Sequence, residues 1–258
     1  MAEAYRQVRV EEEEGYSRLI LDNPPLNILT IANMLELSEA LREAALRPGL
    51  KAVSLEGGGE RGFSVGVAIE EHLPEVAPEM IAALHGLFRL LWDYPVPTLA
   101  LVRGMALGGG CELALICDFV LASRDSGFGI PEIKVGTFPP LATVLFPALA
   151  GLRKSLELVL QGEIIGAEEA HRLGLITAVV PVEELESKRD ELLSALIQKS
   201  APVLRLARRS ILDGAIPDFH GSLERAEELY LRDLMATADA LEGVRAFMER
   251  RRPHWRDA

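Results

Sequence analysis

The chain alternates short runs of aliphatic residues with longer segments in which apolar positions recur every three or four residues. The short runs predict strands, at residues 17–21, 51–55, 98–102 and 119–123. The longer segments predict helices, at residues 32–46, 78–94 and 112–118. Strands that alternate with helices are typical of an α/β core. The acidic run from Glu11 to Glu14 predicts a solvated turn.

The last third of the chain has a different pattern. After about Val182 the strand signals stop, and the following segments carry apolar residues at the i, i+3, i+4 spacing of amphipathic helices. We therefore predict an α/β core domain over residues 1–195 and a helical C-terminal region over residues 196–258.

Composition narrows the class of protein. With 258 residues, 49% of them hydrophobic and 26% charged, the chain is long enough to bury a sizeable core. A net charge of -12 disfavours nucleic acid as the main partner, because like charges repel. No apolar run approaches the roughly 18 residues of a membrane span, so we expect neither membrane insertion nor export.

The chain has two cysteines, Cys111 and Cys117. They are too few for a disulfide framework, and their spacing matches no common metal-binding motif. They favour a reducing, cytoplasmic setting and a protein without a bound metal.

One glycine pattern resembles a dinucleotide-binding fingerprint. Gly57, Gly59 and Gly62 satisfy G-x-G-x-x-G after a predicted strand. No helical pattern begins at Gly62, so no helix N-terminus is available to receive a pyrophosphate. The sequence therefore disfavours a nicotinamide or flavin site.

A second pattern resembles the nucleophile elbow of serine hydrolases. The segment GFSVG, residues 62–66, satisfies G-x-S-x-G. An elbow requires a strand that runs straight into the serine, but residues 56–62 separate Ser64 from the end of the predicted strand. We interpret Ser64 as a loop hydroxyl.

A third cluster has more specific chemistry. Three consecutive glycines, Gly108 to Gly110, stand where a helix is predicted to begin. Glycines allow close approach to the backbone, and the first N–H groups of a helix have no partner within it. Such N–H groups can receive a developing oxyanion.

Two glutamates accompany this glycine turn. Glu112 lies in the first turn of the predicted helix, and Glu132 lies in an apolar Pro-Glu-Ile loop or strand end. Either one alone is more easily explained as a capping or surface charge. Together, beside an anion site, they form a candidate acid/base pair.

Several ordered segments make the chain resemble the crotonase, or enoyl-coenzyme A hydratase/isomerase, superfamily over nearly its whole length. The segments are NPPLNILT (23–30), GFSVGVAIEEH (62–72), PVPTLALVRGMALGGGCELALICDFVLAS (95–123), FGIPEIKVG (128–136), LQGEIIGAEEAHRLGLITAVVP (160–181) and AFMERRRP (246–253). The resemblance implies a spiral of ββα units with a helical C-terminal region that serves trimerisation, in homotrimers or dimers of trimers.

The resemblance also implies a site. The acyl thioester carbonyl would be held by the backbone N–H groups of Val67 and Gly109. Glu112 would activate water for attack on the β-carbon, and Glu132 would protonate the α-carbon. No metal or cofactor is implied, because coenzyme A arrives as part of the substrate.

The resemblance implies further contacts with coenzyme A and substrate, at Leu26, Asn27, Val65, Gly66, Gly108, Phe247 and Arg250. In the family, the positions of Phe247 and Arg250 often serve a neighbouring subunit. An arginine there would supply positive charge for the phosphates.

The chain departs from the family pattern at two places. The common aspartate after the Val65–Val67 loop is replaced by Ala68. After the second glutamate, a glycine-rich stretch is replaced by bulkier residues, including Phe138, Pro139 and Pro140. This stretch is more similar to the branch that acts on cyclic dienoyl thioesters than to the straight-chain hydratases.

Hydration is the leading hypothesis because both glutamates are present. One alternative is isomerisation of an enoyl-CoA or dienoyl-CoA, which requires proton transfer but no activated water. Hydration of a cyclic cyclohexadiene-carbonyl thioester is a second alternative. A binding protein without catalysis is the third.

Overall fold

The structure is a computed structural model that describes residues 5–59 and 62–258. The strands of its larger sheet are β1 (Val8–Glu13), β2 (Tyr16–Leu21), β3 (Ala52–Gly57), β5 (Thr98–Val102), β7 (Phe119–Ser123) and β10 (Ala178–Val180). The strands of its smaller sheet are β4 (Gly62–Ser64), β6 (Met105–Leu107), β8 (Gly127–Gly129) and β9 (Ile164–Gly166).

Both sheets are mainly parallel. The larger sheet has the order β1-β2-β3-β5-β7-β10 and is parallel except for β1 with β2. The smaller sheet has the order β4-β6-β8-β9 and is parallel except for β8 with β9.

Ten α-helices surround the sheets within the described residues. They are α1 (Ile31–Ala45), α2 (Ala77–Trp92), α3 (Gly109–Leu115), α4 (Pro140–Leu149), α5 (Leu152–Gln161), α6 (Ala167–Arg172), α7 (Leu185–Ile197), α8 (Ala201–Ala215), α9 (Phe219–Glu228) and α10 (Ala238–Met248). No described helix is long and apolar enough to cross a membrane.

The chain repeats one supersecondary unit three times. Each unit passes through a strand of the larger sheet, a strand of the smaller sheet and then a helix: β3-β4-α2, β5-β6-α3 and β7-β8-α4. This repetition confirms the predicted α/β class and its ββα units. It also brings the loops that leave β4, β6 and β8 to the same side of the smaller sheet, because these strands are parallel neighbours.

Burial explains why the central elements form as predicted. All five residues of β5, TLALV, are buried, as expected for a parallel strand covered on both faces. Helices α1 and α2 place Leu37, Leu41, Leu84 and Phe88 in the same core cluster as Leu55 of β3. Each fully buried side chain of this size contributes roughly 1.5–3 kcal/mol relative to exposure.

The expectation for the acidic run holds only in part. Glu12 to Glu14 are exposed and Glu14 lies in a turn, as expected, but Glu11 to Glu13 belong to β1, which pairs with β2. The register sets Glu11 opposite Arg18, and the two side chains form an ion pair. Cross-strand pairing with a cation therefore stabilises a strand that its own composition disfavours.

The C-terminal helices are attached to the core by a buried ion pair. Arg208 of α8 donates through Nε to the Asp118 carboxylate at 2.7 Å. Its remaining nitrogens donate to the carbonyl oxygens of Leu91, Trp92 and Tyr94 at the end of α2. The boundary predicted at residue 195 falls inside α7, and the division into core and C-terminal region stays a prediction.

Replacing this arginine tests the attachment. We expect Arg208→Ala to lower the free energy of unfolding by about 3–5 kcal/mol, because Asp118 would remain buried without its cation. Arg209→Ala is the matched control, since Arg209 is half exposed and its ion pairs are with the surface residues Asp93 and Asp213, so little loss of stability is expected. Urea unfolding measures both; equal losses would contradict the structural role of Arg208.

Candidate active site

A cavity of about 580 Å³ opens where the loops after β4, β6 and β8 meet. It is lined by residues that include Val67, Gly109 and Glu132, together with Phe247 of α10. Val67, Gly109 and Glu132 also line a second space of about 20 Å³, in which Glu112 takes part. The two predicted carboxylates and the two predicted N–H donors therefore lie around two adjoining spaces.

Two glycines make the close approach of these loops possible. Gly66 has a φ of 99°, and a Cβ atom there would lie 2.9 Å from the carbonyl oxygen of Leu107. Gly108 has a φ of 53°, and a Cβ atom there would lie 2.7 Å from Glu132 Oε1. Other residues rarely adopt such φ values, so side chains are excluded by backbone conformation as well as by space.

The N–H groups of Val67 and Gly109 are available as donors. Within the described residues, neither donates a hydrogen bond to the protein, whereas the neighbouring Ala68 and Gly108 both do, at 2.8 and 2.9 Å. The two residues are adjacent, since a Cβ atom on Gly109 would lie 2.9 Å from Val67 Cγ2. A pair of fixed, unused N–H groups of this kind can bind an oxyanion.

Glu112 is held in the first turn of α3 and is 2% exposed. Its Oε1 accepts a hydrogen bond from the backbone N–H of Ala142, in the first turn of α4, at 2.8 Å. Burial raises the pKa of Glu112, and the backbone N–H groups of Ala142 and Leu141 offset part of that rise because they stabilise the anion.

Glu132 lies in a 3₁₀ turn, Pro131–Val135. The residue as a whole is half-buried, but its Oε2 is buried and has no hydrogen-bond partner among the described residues. Burial raises the pKa of Glu132, and the negative charge of Glu112 raises it further. Since Glu112 has N–H donors and Glu132 Oε2 has none, we expect Glu112 to ionise first and Glu132 to keep its proton.

The structure separates the other predicted contacts into two groups. Four of them line the large cavity: Val65, Gly66, Gly108 and Phe247. Phe247 does so within its own subunit. The other three, Leu26, Asn27 and Arg250, are not among the lining residues.

Leu26 and Asn27 instead support the loop that carries Val67. The Leu26 carbonyl accepts from Val65 N at 3.2 Å. The Asn27 side chain donates to the carbonyl oxygens of Gly58 and Gly62, both at 2.9 Å. Arg250 is exposed, with a φ of 54°. Roles for these three residues in binding coenzyme A stay predictions.

Two residues of the site had no role in the sequence analysis. His72 lines both spaces. Its Nδ1 lies 3.1 Å from the carbonyl oxygen of Ala68, and burial lowers the pKa of its ring. Tyr230 lines the smaller space from the C-terminal region. His72 stood inside a segment that carried the family resemblance, but Tyr230 gave no signal beyond an apolar position in a helical pattern.

The two rejected motifs can be compared with the structure. Gly62 begins strand β4 rather than a helix, so the glycine pattern lacks the helix that a dinucleotide site requires. Glu60 and Arg61, inside that pattern, lie outside the described residues. Ser64 was expected in a loop, but it is the last residue of β4. It is fully buried, and its Oγ accepts a hydrogen bond from Gly66 N at 3.2 Å.

The fold and this arrangement of backbone donors and carboxylates define a class of protein. A model of the enoyl-CoA hydratase/isomerase family matches residues 11–258, and the chain belongs to that family. The predicted family membership is confirmed, and the chain is an enzyme of that family by the same comparison.

Particular relatives are hydratases of acyl-CoA thioesters. The chain is 38% identical over 259 residues to cyclohexa-1,5-dienecarbonyl-CoA hydratase of Thauera aromatica, covering 99% of both chains. It is 30% identical to crotonyl-CoA hydratase of Syntrophomonas wolfei, covering 98% of both. A crystal structure of an enoyl-CoA hydratase from Mycobacterium avium subsp. paratuberculosis superposes with a TM-score of 0.87 at 31% identity, covering 98% of this chain and 99% of that one.

The raised pKa of Glu132 gives a test of its burial. Above about pH 4 the unfolded chain releases the proton of Glu132, whereas the folded protein keeps it. The free energy of unfolding therefore falls as the pH rises from that value to the pKa of Glu132 in the folded protein. Glu132→Gln removes this penalty. We expect a gain in the free energy of unfolding on the order of 1–3 kcal/mol at pH 8 and little gain at pH 4.

Thermal unfolding at the two pH values measures the effect. Glu183→Gln is the control, because Glu183 is exposed. A gain for Glu132→Gln that is the same at both pH values would show that the carboxyl group is not held protonated by its surroundings.

Proposed function

We propose that the protein is an enoyl-CoA hydratase that adds water across the double bond of an acyl-CoA thioester. The observation that carries the proposal is that Glu112, Glu132, Val67 and Gly109 all line one small space. An acid, a base and an anion site around a single reacting group are what this addition requires.

The thioester carbonyl oxygen would accept hydrogen bonds from the N–H groups of Val67 and Gly109. When water attacks the β-carbon, negative charge moves onto this oxygen as an enolate. Donors that are already in position stabilise that charge more than the neutral carbonyl, which is why losing one typically lowers the rate about 10²- to 10³-fold.

The carboxyl groups divide the proton transfers. Glu112, ionised and stabilised by the first turn of α4, would take a proton from water as the oxygen bonds to the β-carbon. Glu132, held protonated, would donate its proton to the α-carbon. The sum is addition of one water once the proton taken up by Glu112 is released and Glu132 is protonated again, and no electrons are exchanged with a cofactor.

The large cavity has room for the arm that joins the acyl group to the nucleotide of coenzyme A. Its volume of about 580 Å³ falls in the range of small-molecule sites. Lys134 at the cavity, and Arg250 beyond Phe247, would supply positive charge for the phosphates.

We extend the proposal to the acyl group, which we expect to be a cyclic dienoyl ring. Phe138, Pro139 and Pro140 line the smaller space beside the two glutamates. That space is too small for the ring itself, so a ring held in the larger cavity would meet their flat and rigid apolar surface with one side only. The identity of 38% to a cyclohexa-1,5-dienecarbonyl-CoA hydratase, against 30% to a crotonyl-CoA hydratase, supports the same substrate class.

The predicted homotrimer or dimer of trimers is part of this proposal. Large apolar side chains are exposed on α5 and α8, namely Leu152, Leu156, Leu160, Val203, Leu206 and Ile211. A second copy of the chain would cover such surfaces in a stable oligomer.

Removing the proposed base tests hydration against isomerisation. We expect Glu112→Gln to lower the hydration rate at least about 10²-fold, because the amide cannot take the proton of water, while thioester binding changes little. The amide oxygen can still accept from Ala142, so the fold should be retained. Water addition is followed by loss of thioester absorbance and by mass spectrometry; hydratase activity equal to that of wild type would overturn the assignment.

A substrate comparison tests the acyl group. We expect kcat/KM for cyclohexa-1,5-dienecarbonyl-CoA to exceed that for crotonyl-CoA by at least about tenfold, since the rigid pocket favours a planar ring. Both thioesters are assayed with the same purified protein. Faster turnover of crotonyl-CoA would reject the cyclic substrate but leave hydration in place.

A further inference from the structure

Tyr230 places a hydroxyl group beside the two glutamates. Its side chain is 1% exposed, and among the described residues its hydroxyl has no hydrogen-bond partner. It lines the same space of about 20 Å³ as Glu112 and Glu132. Because a buried polar group without a partner lowers stability, a group of this kind inside a site indicates a partner that arrives with the ligand.

The backbone around Tyr230 is unusual. Residues Leu229–Leu234 form a π-helical segment that continues α9, and Met235 N donates to the Tyr230 carbonyl oxygen at 3.0 Å. Segments of this kind are rare and are frequent at functional sites. The Tyr230 ring packs edge-on against Phe138 with the centroids 5.5 Å apart, which fixes the direction of its hydroxyl.

The neighbouring polar side chain does not satisfy this hydroxyl. Thr137 is close enough to lower the pKa of Tyr230, but the two hydroxyls do not meet hydrogen-bond geometry, and Thr137 donates instead to the carbonyl oxygen of Glu132 at 3.3 Å. Burial raises the pKa of Tyr230, and the charges of Glu132 and Glu112 raise it further. The phenol therefore keeps its proton at neutral pH and can only be a neutral donor or acceptor.

We propose that Tyr230 is a further catalytic residue, whose hydroxyl donates a hydrogen bond to the oxygen of the water that is added and to the same oxygen in the product. The inference rests on the proposed hydration. A space of about 20 Å³ can hold one water molecule, which needs two to four polar partners. Tyr230, Glu112 and Glu132 supply three.

The proton balance leaves Tyr230 unchanged. One O–H bond of water breaks and its proton goes to Glu112, while the oxygen forms a bond to the β-carbon. The proton of Glu132 goes to the α-carbon. One lone pair of the oxygen faces the β-carbon and another accepts from Tyr230, so the tyrosine orients the attack without giving up its proton.

A kinetic comparison tests this role. We expect Tyr230→Phe to lower kcat about 10- to 100-fold with KM within about twofold, because the hydroxyl contacts water and not the thioester. Tyr94→Phe is the matched control: Tyr94 is equally buried, but its hydroxyl donates to the Leu41 carbonyl at 2.7 Å and it lines neither space of the site. Its kcat should stay within about twofold of wild type.

Stability separates this role from a structural one. Tyr230→Phe should not lower the melting temperature, since the hydroxyl has no partner in the protein to lose. Tyr94→Phe should lower it by about 2–4 °C, because it breaks a hydrogen bond. A melting temperature for Tyr230→Phe that falls as far as that of Tyr94→Phe would contradict the proposal.

A binding cycle tests the contact without turnover. In a Glu132→Gln background, affinities are measured by calorimetry with Tyr230 present and with Tyr230→Phe, for two pairs of thioesters that differ by a β-hydroxyl. The straight-chain pair is 3-hydroxybutyryl-CoA and butyryl-CoA, and the cyclic pair is 2-hydroxycyclohexanecarbonyl-CoA and cyclohexanecarbonyl-CoA. We expect the ligand hydroxyl to improve binding roughly three- to tenfold with tyrosine and not with phenylalanine.

The outcomes distinguish the two proposals. If none of the four thioesters binds, the proposed function fails, and the role of Tyr230 fails with it. If a pair binds but the effect of the ligand hydroxyl is the same with tyrosine and phenylalanine, the contact with Tyr230 is rejected and the proposed function stands.

Discussion

The arrangement of the site depends on one constraint, which is the burial of two carboxyl groups in the same small apolar space. Two ionised carboxylates could not stay there together, because their mutual repulsion adds to the cost of removing each from water. The surroundings make the two groups unequal. Glu112 accepts from the first turn of α4, whereas Glu132 Oε2 has no donor among the described residues. This difference in hydrogen bonding favours a state in which Glu112 is ionised and Glu132 keeps the proton.

The parallel register of the smaller sheet sets where the two groups lie. Strands β6 and β8 pair so that Leu107 stands opposite Gly129, and the chain leaves both strands on the same side. The helix that carries Glu112 follows β6, and the turn that carries Glu132 follows β8. The same geometry brings the loops after β4, β6 and β8 close together. Gly66 and Gly108 permit this because they have no Cβ atom and can adopt positive φ values. The glycines therefore position the carboxylates as well as the N–H donors.

The sequence predicted the parts of the structure that have long or dense patterns. The strands at 98–102 and 119–123 have the predicted bounds, and the glycine run stands beside Glu112 as expected. The strands of the smaller sheet escaped prediction because three residues are too few to show a period. The helix predicted at 112–118 begins instead at Gly109, because glycines that disfavour a helix are used here for their free N–H groups.

Pairing between elements was the other source of error. Glu11 and Arg18 are seven residues apart and face each other across the hairpin of β1 and β2, but the acidic composition of residues 11–14 hid the first strand. Tyr230 is a different case, because a tyrosine in an amphipathic helix gives no sign of which cavity it will reach. That depends on how distant segments meet, which periodicity alone does not contain.

A comparison of two buried glutamates shows how the protein separates scaffold from site. Burial alone would raise the pKa of Glu56, but hydrogen bonds from Arg18 and the charge of Arg189 outweigh it and lower that pKa. Burial also raises the pKa of Glu132, and there no cation opposes it. A glutamate is thus fixed as an anion where Glu56 joins α7 to the sheet, and is left able to exchange a proton where Glu132 lies beside the cavity. Unpaired buried polar atoms also occur among the described residues at Gln7, His85 and Arg103, each away from the site. Glu132 and Tyr230 differ from these because they bring two such oxygens to one space, which supports the proposed chemistry there.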